Sequence, residues 1–297
     1  MTAGGSGACW ICGGATELES RGRAVTALAV QSFQITDSEY GEAADIHRCR
    51  DCGFRMCFGL ENVLEFYRDL VDPEYEAGRA ERSLQMRRLL QTVLERGEFG
   101  PREHPLRLLD VGAGSGILVE GARAMGLDAD GVEPSRWLAE IAEGRGLPVR
   151  RGDLSVLPPD ARYDVITLID VIEHVPDPRG LVDEAARHLA DRGILAIVTP
   201  DLGSVPARIL GRRWWHVRMA HIGYFSNASM QALLDRTNLR RAATLRPWWY
   251  FRFPYLFERL QKFVLGRIVV RSPRALENVV VPLNLLDSML VLARRAD

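Results

Sequence analysis

The sequence predicts an α/β fold in which a mostly parallel sheet follows a small N-terminal module. Two observations predict the large domain: short apolar strands alternate with helical segments from Leu106 onward, and glycines or acidic residues recur where strands end. Two cysteine pairs near the N-terminus predict the small module. A chain of 297 residues, 47% of them hydrophobic, can bury one large core and carry such an appendage.

Charge and apolar patterning indicate which partners and which cellular location to expect. The 38 basic and 39 acidic residues leave a net charge of -1, so no global field attracts nucleic acid or an anionic bilayer, and we expect no nucleic-acid partner. The Gly-rich N-terminus lacks the basic start and apolar core of a secretory signal. No run of about 18 apolar residues predicts a spanning helix. We therefore expect a cytoplasmic protein.

Four N-terminal cysteines form two C-x-x-C pairs, each followed by a glycine. Such a turn lets both thiolates of a pair reach one metal ion, and two pairs complete a tetrahedral site with no open position. We predict a structural zinc site, with redox dithiols or core cysteines as the alternative. Between the pairs, the strand-like pattern of Ala24 to Thr36 predicts a hairpin. The predicted ligands are Cys9, Cys12, Cys49 and Cys52.

Changes of pattern along the chain predict its domain organisation. Apolar residues from Met86 to Leu94 repeat at helical spacing, and a Gly- and Pro-containing stretch ends that helix. The predicted units are a zinc module (1–62), a helical connector (63–100) and the large domain (101–297), with insertions near 203–225 and 247–286.

Seven strands are predicted in the large domain, with helices between them. The predicted strands are Leu106 to Val111, Asp130 to Glu133, Pro148 to Arg151, Tyr163 to Asp170, Ile194 to Thr199, Ala242 to Arg246 and Ser288 to Arg294. Helices are predicted at Ile117 to Met125 and Met230 to Leu234. Together they predict one seven-stranded sheet.

A glycine-rich loop follows the first of these strands. Glycines at alternate positions let the backbone turn sharply and approach a ligand, and the helix that follows offers unpaired N–H groups. Ligands of open α/β sheets bind outside the carboxyl ends of the strands, so the loop should share one rim with Glu133, Asp153 and Asp170. A nucleotide-like cofactor is predicted there. A dinucleotide dehydrogenase would need a further glycine where the sequence has Ile117.

With these motifs in place, the sequence resembles the class I S-adenosylmethionine methyltransferases over roughly residues 105–200. The resemblance implies a Rossmann-like fold with a seven-stranded, mostly parallel sheet, and S-adenosylmethionine as the cofactor. The segments that carry it are Leu109 to Gly116, Val132 to Ser135, Gly152 to Leu154 and Tyr163 to Asp170.

The resemblance also implies roles for single residues. Asp110 would orient the loop or contact the cofactor amino group, and Glu133 would bind the ribose hydroxyls. Asp153 would bind the adenine amino group, Leu154 would pack on the ring, and Asp170 belongs to the same cofactor site. A carboxylate at a strand end could alternatively cap a following helix. The glycines implied to line the methionine portion are Gly112, Gly114 and Gly116.

Two further segments indicate which atom and which kind of acceptor the enzyme would methylate. Asp170 to Val175, followed by Pro and Asp, is similar to the signature of ubiquinone-type O-methyltransferases, which act on hydroxyl acceptors. His221 to Ser226 resembles the H-x-x-Y-F-S segment of zinc-knuckle sugar methyltransferases. Sugar C-methylating members carry a Tyr and a Glu beside that histidine, which the residues before His221 do not provide. We expect O-methylation of a glycan, a lipid-linked sugar or a natural-product hydroxyl, with sugar C-methylation as an alternative.

Methyl transfer from a sulfonium needs alignment and exclusion of water, and an alcohol acceptor also needs a base. His221 and His174 are the candidates, and His221 is favoured because it lies in the insertion expected to cover the acceptor. A purely structural role for either histidine is the alternative. Ubiquinone-type relatives imply a weak metal site at Glu173 and His174, but one Glu–His pair does not predict a catalytic metal.

The second insertion is aromatic and basic at its start and continues as an amphipathic helix. Such a helix with interfacial tryptophans can lie on a membrane, which makes peripheral membrane contact through 247–268 one interpretation. A lid or subunit contact that buries the aromatic residues is the favoured interpretation, because aromatic stripes at helical spacing usually belong to a core.

A contrasting function is a non-catalytic adaptor, in which the zinc knuckle binds a protein or nucleic acid and the Rossmann domain is a relic. The near-neutral charge opposes nucleic-acid binding, and the intact glycine loop opposes a relic. A methyltransferase is therefore the preferred prediction.

Overall fold

The computed structural model describes residues 7–23, 40–60, 62–101 and 103–296. The hairpin predicted at Ala24 to Thr36 lies outside the described residues. The strands are β1 (Thr16–Ser20), β2 (Ile46–Cys49), β3 (Arg55–Cys57), β4 (Arg107–Val111), β5 (Asp128–Glu133), β6 (Val149–Arg151), β7 (Tyr163–Ile169), β8 (Leu189–Pro200), β9 (Gly223–Tyr224), β10 (Leu239–Leu245), β11 (Trp249–Arg252), β12 (Val280–Leu283) and β13 (Ser288–Arg295). The helices are α1 (Val63–Arg68), α2 (Pro73–Ala77), α3 (Arg79–Gly97), α4 (Ile117–Ala124), α5 (Arg136–Gly144), α6 (Pro178–Arg187), α7 (Val205–Leu210), α8 (Asn227–Leu234) and α9 (Phe253–Leu265).

The large domain is built on a seven-stranded sheet with the order β10-β13-β8-β7-β4-β5-β6. The five strands β6, β5, β4, β7 and β8 run parallel to one another. Strand β13 runs antiparallel to both β8 and β10. The predicted fold class is confirmed, and each of the seven predicted strands is present.

Successive residues of the central strands point into two apolar clusters on opposite faces of the sheet. In β4, Leu109 and Val111 join one cluster, and Leu108 joins the other together with Leu89 and Val93 of α3. Strands that are covered on both faces read as continuous apolar runs, which is why β4, β7 and β8 are recognisable in the sequence. Helix α3 therefore serves as a wall of the large domain.

Strand β8 begins earlier than the apolar pattern predicts. Tyr163 pairs with Leu189, but Val165 pairs with Ile194, so the polar residues 190–193 bulge out of the ladder. Arg192 within this bulge has a positive φ of 63°. The bulge interrupts the apolar run and hides the start of the strand from sequence analysis.

The N-terminal module is continuous with the large domain. Its sheet has the order β1-β2-β3-β9, so β9 of the first insertion supplies the fourth strand. Phe54 of the module lies against Phe225, with ring centroids 4.7 Å apart, and both belong to the same buried cluster as Leu168 of β7. The helices described here include none whose length and apolar content would let it cross a bilayer.

Candidate functional site

The glycine loop between β4 and α4 is held against β5 by its own backbone. The amides of Gly112 and Ala113 donate to the Val132 carbonyl at 2.9 and 3.0 Å. Asp110 is buried in β4, where its Oδ1 accepts a hydrogen bond from Thr167 Oγ1 at 2.6 Å. Burial raises the pKa of Asp110 to about 7. The loop is therefore fixed in its turned conformation before a ligand binds.

Glu133 ties this loop to the turn that follows β5. Its Oε2 accepts from the Gly114 amide and its Oε1 from the Ser135 amide, both at 2.7 Å. The side chain is fully buried, and burial raises its pKa to about 7 although the two amides oppose the shift. Each carboxylate oxygen has a second lone pair, but the side chain is 0% exposed, so ribose binding by Glu133 stays a prediction.

Two tyrosines of the connector cover the same loop. Tyr67 of α1 hydrogen-bonds the Glu133 carboxylate. Tyr75 of α2 lies so close to Gly114 that a Cβ atom there would stand 2.6 Å from the tyrosine oxygen. The Arg82 guanidinium lies over the Tyr75 ring, 4.3 Å from its centroid. Tyr67 thus occupies one of the positions on Glu133 that a ribose hydroxyl would use.

Asp153 and Leu154 follow β6. The Asp153 carboxylate accepts from the Ser155 amide at 3.0 Å and caps the short 3-10 turn Leu154–Val156. The Ser155 hydrogen bonds also lower the pKa of Asp153. Asp153 and Leu154 both line the cavity described below. Capping and ligand binding are therefore compatible at this strand end.

Asp170, directly after β7, has a left-handed backbone with a φ of 52°. Few non-glycine residues adopt this conformation, and those that do concentrate at functional sites. Its amide donates to the Val198 carbonyl at 3.0 Å, which fixes the turn, and its side chain is exposed to the cavity.

A cavity of about 1450 Å³ lies outside the carboxyl ends of β4, β5 and β7, where the strand order reverses. The predicted cofactor residues that line it are Asp110, Gly112, Gly114, Asp153, Leu154 and Asp170. Gly116 and Glu133 are not among its lining residues in the described part of the chain. His174, His216 and His221 line another part of the same cavity, called here the histidine end. The structure therefore brings six of the eight predicted cofactor residues and both candidate bases to one cavity.

Aromatic side chains form the walls of the histidine end. Trp215 meets Phe263 of α9 edge-on with ring centroids 6.3 Å apart, and Phe251 of β11 stacks on Tyr255 at 5.5 Å. Trp249 of β11 also lines this end. The aromatic start of the second insertion is thus a wall of the cavity, as a lid would be.

His174 and His221 lie in contact, with ring centroids 4.8 Å apart. His174 Nδ1 lies 2.7 Å from the Ala220 carbonyl, which makes Nδ1 the protonated nitrogen and leaves Nε2 free to accept a proton. Burial lowers the pKa of His174 to about 4 and that of His221 well below its ordinary value. Both rings are therefore neutral near pH 7.

Glu173 completes a cluster with these histidines. Its Oε2 accepts from Thr199 Oγ1 at 3.0 Å, and burial raises its pKa well above the ordinary value. Glu173 Oε1 and His221 Nδ1 are buried without a hydrogen-bond partner in the described part of the chain. Ligand atoms of Glu173, His174 and His221 lie within 4.8 Å of one another, so His221 adds a third donor to the predicted pair. One carboxyl and two imidazole groups can ligate a divalent ion or bind an acceptor hydroxyl directly.

His216 and Asp287 adjoin this cluster. His216 stacks on His221 with centroids 5.9 Å apart, and its Nε2 lies 3.5 Å from Asp287 Oδ2. The same carboxylate oxygen accepts from Trp214 Nε1 at 3.1 Å. Asp287 therefore orients His216, which stacks on the candidate base His221.

The four cysteines predicted as zinc ligands lie together. Their sulfur atoms are all within 4.8 Å of one another, with Cys9 and Cys52 at 3.6 Å and Cys12 and Cys49 at 3.4 Å. Tetrahedral zinc with Zn–S bonds of about 2.3 Å places its sulfurs about 3.8 Å apart. The donor set and spacing fit such an ion.

Sequence analysis assigned no role to Tyr67, Tyr75 or Asp287. The two tyrosines belong to the connector and contact the glycine loop and Glu133. Asp287 lies near the C-terminus and contacts His216, which is 71 residues earlier in the sequence. None of these contacts has a local sequence signal, because each depends on tertiary packing.

Comparison with known proteins identifies related chains. A family described as a methyltransferase domain matches residues 79–244. The ubiquinone biosynthesis O-methyltransferase of Rhodopseudomonas palustris (strain HaA2) is 30% identical over 124 residues, which cover 40% of this chain and 45% of that protein. The protein of the same name from Proteus mirabilis is 28% identical over 177 residues, which cover 51% of this chain and 69% of that protein. This chain thus spans less than half the length of the first relative.

Among solved structures, a SAM dependent methyltransferase from Archaeoglobus fulgidus is similar, with a TM-score of 0.49 and 15% identity. The match covers 75% of this chain and all of the other (100%). The segment matched by the family, 79–244, contains every predicted cofactor residue and both candidate histidines.

Proposed function

The chain belongs to the methyltransferase domain family, and from that premise we propose that it transfers the methyl group of S-adenosylmethionine to a hydroxyl acceptor. The proposed acceptor is a glycan, a lipid-linked sugar or a natural product. Relatives named as ubiquinone biosynthesis O-methyltransferases support transfer to oxygen.

One observation supports the proposal above all others: a single cavity is lined both by the glycine loop and by a neutral histidine cluster. A volume of about 1450 Å³ exceeds the range of about 300 to 1000 Å³ that is typical of a site for one ligand. The cavity can therefore hold cofactor and acceptor together. Such an arrangement aligns the sulfonium methyl group with the acceptor oxygen and keeps water away.

In this proposal His221 is the general base. It is neutral near pH 7, and its unpaired Nδ1 can accept the acceptor proton as the oxygen attacks the methyl carbon. His174 lies beside it with Nε2 free and is the alternative base. The aromatic walls suit a sugar ring or an isoprenoid chain beside the reacting hydroxyl.

We also propose that the four clustered cysteines hold one structural zinc ion. Four thiolates leave no open coordination position, so the ion would stabilise the module and take no part in transfer.

Two measurements test the proposed function. Isothermal calorimetry with S-adenosylhomocysteine should show one site per chain, and extracts supplied with ¹³C-methyl S-adenosylmethionine should yield one enzyme-dependent methylated product. The chemical shift of the labelled methyl group distinguishes attachment to oxygen from attachment to carbon. Absence of cofactor binding by zinc-loaded protein would overturn the proposal, and salt-sensitive RNA or DNA binding in a gel-shift assay would then favour the adaptor.

A further inference from the structure

The surface of residues 260–270, called here the apolar platform, exposes a continuous stretch of aliphatic side chains. It comprises the end of α9 and the segment that follows. Soluble proteins rarely leave such a patch uncovered unless it binds something. Its exposed members, between 42% and 63% accessible, are Leu260, Val264, Leu265, Ile268, Val269 and Val270.

The platform is held in place by one buried side chain. Gln261 Oε1 accepts from the amides of Val269 and Val270 at 3.0 and 2.8 Å, and its Nε2 donates to the Val270 carbonyl at 2.8 Å. Gln261 itself is 9% exposed. These bonds satisfy the backbone and fix the segment against α9 while its side chains face the solvent. The exposure of Val269 and Val270 is thus built into the fold.

The charge along residues 260–276 has one sign, and the acidic residues Glu258 and Glu277 flank this stretch. Residues 260–276 include four basic residues and no Asp or Glu, although the whole chain has a net charge of -1. All four are exposed. Apolar side chains interleaved with cations complement a surface that offers both hydrocarbon and negative charge. The basic residues are Lys262, Arg267, Arg271 and Arg274.

We propose that the apolar platform docks the protein on an anionic lipid bilayer, with α9 lying in the plane of the interface. A helix of 13 residues is too short to span a bilayer of about 30 Å but suits interfacial binding. Leu256, Leu260 and Phe263 of α9 also line the cavity, so the docked face continues into the histidine end. The docking itself does not depend on the proposed methyl transfer.

Vesicle sedimentation tests the proposal with the full-length, zinc-loaded protein. We expect it to bind vesicles that contain phosphatidylglycerol and phosphatidylcholine, and to bind pure phosphatidylcholine far more weakly. The double variant Val264→Asp/Ile268→Asp should bind anionic vesicles roughly tenfold or more weakly, because the platform side chains lose their apolar contact. Arg267→Gln/Arg271→Gln should weaken binding by about twenty-fivefold, at about fivefold per cation, with smaller losses at high salt.

The matched control is Leu18→Asp, which changes an aliphatic side chain of β1 that is 43% exposed and distant in sequence from the platform. It should bind vesicles like the wild type, and every variant should keep the wild-type affinity for S-adenosylhomocysteine if folded. Equal binding of neutral and anionic vesicles, or equal loss with Leu18→Asp, would overturn the proposal. So would a wild-type dimer that ignores vesicles and is dissociated by Val264→Asp, since the platform would then bind a second copy.

Discussion

The amide of Cys57 donates to the carbonyl of Ile222 at 2.8 Å, and this bond links the cysteine module to the residue directly after His221. The pairing of β3 with β9 adds further hydrogen bonds between the module and this segment. The Ile222 amide in turn donates to the Glu173 carbonyl at 2.9 Å. The position of the proposed base therefore depends on the folded module.

Removal of the proposed zinc should slow methyl transfer although the ion is remote from the reaction. We expect chelation, or Cys49→Ser, to release one zinc per chain and to increase amide exchange in 221–225, because β9 loses its partner strand. Affinity for S-adenosylhomocysteine should change little. Metal analysis, calorimetry and hydrogen exchange measure these effects, and Cys57→Ala, at a buried cysteine outside the cluster, is the control that keeps its zinc. Freshly purified protein without zinc would contradict the prediction.

Glu133→Ala should weaken binding of S-adenosylhomocysteine by about 2 to 4 kcal/mol, because the ribose loses a charged acceptor and Gly114 loses a loop contact. Calorimetry measures the change, with Glu120→Ala, at a partly exposed residue of α4, as the control. Tyr67→Phe should leave affinity unchanged or improve it, since it frees a position on Glu133. Wild-type affinity in Glu133→Ala would show that this carboxylate does not bind the ribose.

Cofactor affinity should rise with pH between about 6 and 8. In the free protein, burial raises the pKa of Glu133 and of Asp110 to about 7, and hydroxyl or amino donors prefer the ionised carboxylates. The same shifts favour folding at acidic pH, so stability of the free protein should fall as pH rises from about 4.5 through 7. Calorimetry across this range should show a shallower slope for Glu133→Gln. A slope identical to that of the wild type would assign the titration to Asp110 alone.

His221→Gln should slow methyl transfer by roughly a hundredfold or more, because the proposed base would contact the acceptor. Cofactor affinity should be nearly unchanged, because the proposed base would not contact the cofactor. His174→Gln should reduce both, since His174 contacts His221 and follows Asp170 of the predicted cofactor site by four residues in the chain. Single-turnover rates and calorimetry separate the two effects. Full turnover in His221→Gln with the true acceptor would make that histidine structural.

Gly114→Ala should destabilise the loop by about 1 to 2 kcal/mol, because Gly114 has a φ of 56° that side chains rarely adopt. The new Cβ would also stand 2.6 Å from the Tyr75 hydroxyl oxygen. Adding Tyr75→Phe should recover part of the loss by removing that contact but not the backbone strain. Additive losses in a double-mutant cycle, measured by thermal unfolding, would show that the two residues do not touch.

Sequence analysis could predict the central strands and the cofactor loop because local chemistry marks them. Glycines and carboxylates stand where β4, β5 and β7 end, and β4 and β7 contain short apolar runs. The pairing of β9 with β3 had no such mark, since a strand of two residues carries no periodicity. The covering of Gly114 by Tyr75 was equally hidden, because it depends on how α2 packs against a loop from another part of the chain.

The large domain produced alone should be prone to aggregate, because removal of the N-terminal module uncovers part of its surface. Without residues 1–62, the edge of β9 would present unpaired backbone groups, and Phe225, now 1% exposed, would lose the ring of Phe54 that covers it. An uncovered strand edge beside a bare aromatic residue favours aggregation. We therefore expect the truncated domain to aggregate more readily than the full chain, so the module acts as a cover for the large domain as well as a metal site.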